Sequence, residues 1–106
     1  MRIVIISSES GLKGSFDETY FLSKSAINRY VEERLVGCNQ QLVCISPSTI
    51  EDSNMTKMRD DKERLLEYKN KHPKKRFLQM KEVADLVTFL FNDSSKYISN
   101  ENININ

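Results

Sequence analysis

Histidine occurs once in this chain, cysteine twice and glycine three times in 106 residues, and each scarcity removes a class of explanation. The two cysteines, Cys38 and Cys44, are too few for a disulfide framework, and neither has a histidine or second cysteine at metal-ligand spacing. The single histidine, His72, stands beside Pro73 in a basic stretch. No metal site is expected. An excess of one charge sign is also missing: 16 Lys and Arg face 15 Asp and Glu, a net charge of +1, so no global field points to nucleic acid or a membrane surface. The apolar runs fall far short of the ~20 residues of a transmembrane helix, and the N-terminal run lacks the shape of a signal peptide. The chain reads as soluble and cytoplasmic, without internal repeats or a second domain. At 12.3 kDa and 39% hydrophobic residues it has limited core to bury.

What is present is organised around Ser7 to Lys24. Tyr20 and Lys24 are four residues apart, so on a helix they share one face, and an ammonium beside a phenol favours the phenolate. Such a phenol suits general acid or base work, and a hydroxyl from Ser7 or Ser8 is placed to hold the substrate oxygen it serves. Upstream, Arg2 to Ser8 is a short β-branched run ending in two hydroxyls, as expected of a buried parallel strand. Ligands of open α/β sheets bind at the carboxyl ends of such strands. Gly11 and Gly14 read as turn formers. Ser15 to Glu18 reads as a capping box with Ser15 as the cap, opening the helix just before Tyr20. Along that helix Leu22, Ala26, Tyr30 and Val31 form an apolar stripe assigned to core packing, and Gly37 is the expected stop.

A second strand, Leu42 to Pro47, follows and buries Cys44 as a small apolar thiol. Strand, helix and strand make one crossover unit. From Glu51 to Lys75 the chain is polar, with apolar residues enough for one short helix ending before Pro73. Its cations Lys69, Lys71, Lys74, Lys75 and Arg76 read as a solvated charge run. Val83, Leu86, Val87, Leu90 and Phe91 fall at i, i+3, i+4, i+7 and i+8 and specify the final helix. In the tail, residues 99–106, Ile103 and Ile105 would face one side of a last strand, while the density of asparagine equally fits a disordered end.

These segments, in order, resemble the C-terminal half of the short-chain dehydrogenases/reductases. Arg2 to Ser8 is similar to the strand that ends in the family's catalytic serine, and Tyr20-Phe21-Leu22-Ser23-Lys24 to its Tyr-x-x-x-Lys. Ile45 to Ile50 resembles the Pro-Gly turn of the next strand, with Ser48 in place of the glycine. Arg76 to Ala84 resembles the loop and helix start after the substrate-covering segment, and Phe89 to Ser99 the last helix and the approach to the last strand. The family's serine usually lies thirteen positions before its tyrosine, which counts to Ser7, whereas alignment on Gly11 and Gly14 selects Ser8, the assignment carried forward.

The resemblance implies an α/β fold, the C-terminal half of a Rossmann-type doubly wound parallel sheet over residues 1–106, with a substrate lid at 51–76. It implies an oxidoreductase that uses NAD or NADP to reduce a carbonyl or oxidise an alcohol, with Ser8, Tyr20 and Lys24 catalytic. Tyr20, Lys24, Pro47, Ser48 and Ile50 would hold the cofactor. The family's glycine-rich phosphate loop has no counterpart in the sequence, so the chain reads as truncated, its N-terminal half either missing from this sequence or encoded separately as a partner chain. The family's dimer helix corresponds to Tyr20 to Leu35. Two other readings stay open: a non-catalytic relative serving as an interaction module or remnant, and a sugar-nucleotide epimerase or dehydratase.

Overall fold

The computed structural model describes residues 1–13 and 17–106. Strand β1 (Arg2–Ile6) leads through a short helix α1 (Ser10–Lys13) to the long helix α2 (Glu18–Glu33), then to β2 (Gln41–Pro47). Helices α3 (Asn54–Lys57), α4 (Lys62–Lys71) and α5 (Met80–Leu90) follow, then a 3-10 turn at Asp93–Ser95 and β3 (Glu101–Ile105). The strands form a parallel sheet in the order β1-β2-β3, with Ile5 opposite Cys44 and Ile45 opposite Ile103.

Every residue of β2 is buried, as its central place and the apolar run Leu42 to Ile45 require. Alternation along it builds two half-cores. Leu42 and Cys44 pack with Val31 of α2, flanked by Ile5, Ile27 and Val36. On the other face Val43 and Ile45 meet Leu90 of α5, joined by Val4, Leu86, Val87, Ile103 and Ile105. The sheet is therefore the middle of three layers. None of the described helices is long and apolar enough to cross a membrane.

Several expectations are revised. β1 is not a buried strand: Ile3 and Ile6 are 46% and 44% exposed, because among the described residues β1 pairs with β2 alone, leaving its outer edge and part of each face uncovered. In α2 the stripe Leu22, Ala26, Tyr30 faces outward, with Leu22 62% and Tyr30 55% exposed, and only Val31 of that set reaches the core. The inward face is set instead by Ile27, Asn28 and Val31. The helix ends at Glu33, ahead of Gly37, because the Asn100 side chain donates to the carbonyls of Val31 and Arg34 at 2.8 and 2.7 Å. Ser15 lies outside the described residues. The N-cap is Asp17, whose carboxylate accepts from the Tyr20 amide at 3.0 Å, a cap worth about 1 kcal/mol.

The polar middle forms two helices where one was expected, and α4 does end before Pro73, with His72 as its cap. Of its cations, Lys69 pairs with Glu51, Lys71 with Glu67 and Arg76 with Glu82. The tail is a strand. Asn100 takes the left-handed φ of 56° that asparagine tolerates, and Asn102 accepts from Ser46 Oγ at 2.6 Å.

Candidate active site

The carboxyl ends of β1 and β2 open into a cleft of about 560 Å³. Ser8, Tyr20, Lys24, Pro47, Ser48 and Ile50 all line it, so every residue singled out from sequence is brought to one place. Three elements contribute. The loop after β1 supplies Ser8, α2 supplies Tyr20 and Lys24 from consecutive turns, and the segment after β2 supplies Pro47 to Ile50.

Lys24 Nζ lies 5.5 Å from the centroid of the Tyr20 ring, within reach of a cation–π contact. Both side chains are partly exposed, so a bound molecule meets them without local unfolding. Ser7 and Ser8 differ sharply. Ser7 is buried and its Oγ donates to the Lys24 carbonyl at 3.3 Å. Ser8 is half-buried, and its Oγ accepts from the Ser10 amide at 3.2 Å, which leaves its own proton to donate into the cleft.

The segment after β2 is held rigidly. Ser48 N donates to Ile105 O at 2.9 Å, Leu78 N to Thr49 O at 3.2 Å and Glu51 N to Leu78 O at 2.8 Å. Ser48 keeps a negative φ, since the positive-φ non-glycine residues among those described are Lys75 and Asn100. The turn therefore does not demand a glycine. Ser53, Met55, Thr56 and Arg59 of the α3 region form the far wall.

Beneath the cleft lies a buried polar layer that sequence reading missed. Asn28, two turns after Tyr20 on the same helix, is 4% exposed, and its Oδ1 lies 3.5 Å from both Cys44 Sγ and Ser46 Oγ. Asn28 Nδ2 finds no acceptor among the described residues. Burial pushes the Cys44 thiol above its ordinary range, so it stays protonated as a weak donor. The polar alternation Cys44, Ser46 along an otherwise apolar strand, with Asn28 at Tyr20 plus eight, was the available signal. A further omission is Ser25, whose Oγ donates to the Gly11 carbonyl at 2.7 Å.

The arrangement offers a phenol, an ammonium and a hydroxyl around one opening, which suits proton transfer to or from a substrate oxygen. No group of three or more His, Cys, Asp or Glu side chains among the described residues is placed to hold a metal ion.

The family model described as enoyl-(acyl carrier protein) reductase matches residues 1–106. No curated protein matches the sequence. Among solved structures, a short-chain dehydrogenase/reductase, glucose/ribitol dehydrogenase, from Brucella melitensis superposes with a TM-score of 0.89 at 23% identity, over 99% of this chain and 43% of that one. An NAD+-bound xylitol dehydrogenase gives 0.84 at 24% identity, over 98% and 47%. A variant of actinorhodin polyketide ketoreductase with NADPH gives 0.81 at 19%, over 98% and 45%. The chain thus spans less than half the length of these structures.

Proposed function

The chain belongs to the short-chain dehydrogenase/reductase family, and from that premise we propose that it forms the catalytic part of a nicotinamide-dependent oxidoreductase acting on a small carbonyl or alcohol. The observation that carries this is the convergence of Ser8, Tyr20 and Lys24 on one cleft at the carboxyl ends of parallel strands. Tyr20 gives its phenolic proton to the carbonyl oxygen of the substrate, or takes one from the alcohol in the reverse direction. Ser8 donates a hydrogen bond to the same oxygen. The positive charge of Lys24 stabilises the phenolate left behind.

A nicotinamide and its ribose fit the cleft, whose volume lies within the range of small-molecule sites and whose floor is the rigid segment from Pro47 to Ile50. When bound, the nicotinamide supplies or accepts a hydride. Tyr20 and Lys24 would hold the ribose hydroxyls, and Pro47, Ser48 and Ile50 would flank the carboxamide. These residues meet the end that NAD and NADP share, so both remain candidates. The adenine end would be held by the rest of the domain, on the same or a separate polypeptide.

Titration of this chain with nicotinamide mononucleotide, followed by amide NMR shifts, tests the cofactor reading. Shifts are expected to cluster at Ser48 to Ile50 and Tyr20, and their absence there would count against it. The α3 and α4 segment would cover the substrate side of the cleft, since Met55 and Thr56 already wall it. Met55→Glu without effect on substrate preference would dismiss that role. A second copy is the proposed occupant of the exposed α2 stripe, as the family's use of this helix implies. An unchanged sedimentation coefficient in a Leu22→Glu, Tyr30→Glu variant would rule that out.

A further inference from the structure

Taking Ser8, Tyr20 and Lys24 as assigned above, we infer that Ser25 is a positioning residue, fixing the Ser8 hydroxyl relative to Tyr20 through the carbonyl of Gly11. A substrate oxygen must lie within hydrogen-bond reach of Tyr20 Oη and Ser8 Oγ at once, and these groups sit on different elements. Small errors in such a separation are costly in rate. Tyr20 is fixed by the frame of α2. Ser8 belongs to the loop after β1, and something must register that loop to the helix.

The hydrogen bonds divide this task. Ser7 N donates to Ile45 O at 2.7 Å and Glu9 N to Pro47 O at 3.1 Å, which ties the loop to β2 but not to α2. Within the loop, Gly11 N donates to Ser8 O at 3.1 Å and Ser10 N to Ser8 Oγ at 3.2 Å, so Ser8, Ser10 and Gly11 move as one unit. Side-chain bonds between described residues then join this loop to α2. Ser7 Oγ to Lys24 O is long, at 3.3 Å, whereas Ser25 Oγ to Gly11 O is 2.7 Å. The shorter bond dominates.

Gly11 makes the approach possible. A Cβ built there would lie 2.6 Å from Asn28 Nδ2 and 2.9 Å from the Lys24 carbonyl carbon. The loop therefore sits flush on the turn of α2 that carries Lys24. Ser25 follows Lys24 by one residue, about 100° around the helix, so consecutive residues serve the cleft and the loop. Tyr20, Lys24 and the anchor of Ser8 thus share one rigid body.

The test uses 15N-labelled protein carrying Ser25→Ala or Ser25→Thr, with amide exchange read at Ser10 and Gly11 alongside turnover of the full-length protein. In Ser25→Ala, exchange at Ser10 is expected to speed up about tenfold while Ile27 to Val31 stay protected. Its kcat falls roughly tenfold to hundredfold with KM unchanged. Ser25→Thr, which keeps the hydroxyl, restores both. Added to Ser8→Ala, Ser25→Ala costs nothing more, because the group it positions has gone. Unchanged exchange at Ser10, or a loss that adds to that of Ser8→Ala, would overturn the role. A wild type without turnover would overturn the assignment of Ser8 instead, and the exchange arm tells the two failures apart because it needs no catalysis.

Discussion

The Lys24 ammonium lies one helical turn from Tyr20 and 5.5 Å from the centre of its ring, at the mouth of a cleft that Ser8 enters from a different element. Helical periodicity alone produces the first relationship. The second needs the sheet, which places the carboxyl end of β1 beside the first turns of α2.

Replacing Lys24 by methionine keeps much of the stem and removes the charge. Steady-state kinetics of the full-length protein should show kcat/KM reduced by about a hundredfold, a general-acid site having lost its electrostatic partner. Stability should move by only about 0.5 kcal/mol, since the side chain is partly exposed. A collapse of the melting temperature would mean that Lys24 is structural.

Gly11→Ala forces a carbon into contact with the Lys24 carbonyl and Asn28. Backbone cannot yield as a side-chain tip can, so α1 and α2 must separate. Urea unfolding should show a loss of about 1–3 kcal/mol with the m-value unchanged. Wild-type stability would show that the loop does not rest on α2 as described.

The Arg76 guanidinium, with help from the Gln79 amide, holds the Glu82 carboxyl at about 2, against an ordinary value of 4.5. Arg76 Nη1 and Nη2 reach its two oxygens at 2.6 and 3.0 Å. A carboxylate depressed in the folded state contributes stability that is fully present above about pH 4.5 and lost as pH falls through about 2. Thermal melts of wild type and Glu82→Gln should therefore differ at neutral pH and converge as the pH drops across that window. Parallel curves would remove the pair from the acid sensitivity of the fold.

Much of this was legible in the sequence. An apolar run located β2, periodicity α2 and α5, and Pro73 the end of α4, while the resemblance picked out six of the residues that line the cleft. Faces were harder. Leu22, Ala26 and Tyr30 have the spacing of a core stripe, yet the helix turns Ile27, Asn28 and Val31 inward, because the polar layer of Ser46 and Cys44 accepts an asparagine there. A hydropathy pattern cannot rank a buried asparagine above an exposed tyrosine when its partners lie on another element. Asn100 shows the same limit. Residues 66 and more positions away in sequence supply the carbonyls it caps, and so end α2 before its glycine.

The most direct test of catalysis at this cleft is turnover by Tyr20→Phe in the full-length protein, followed through nicotinamide absorbance with NADH and NADPH across small ketones and alcohols. The substitution removes the phenolic hydroxyl, oxygen and proton together, that the proposed transfer requires, while the ring and its packing stay. Rates at least about a hundredfold below wild type, with unchanged melting, are the predicted result. Undiminished turnover by Tyr20→Phe would contradict the assignment of this cleft as the catalytic centre.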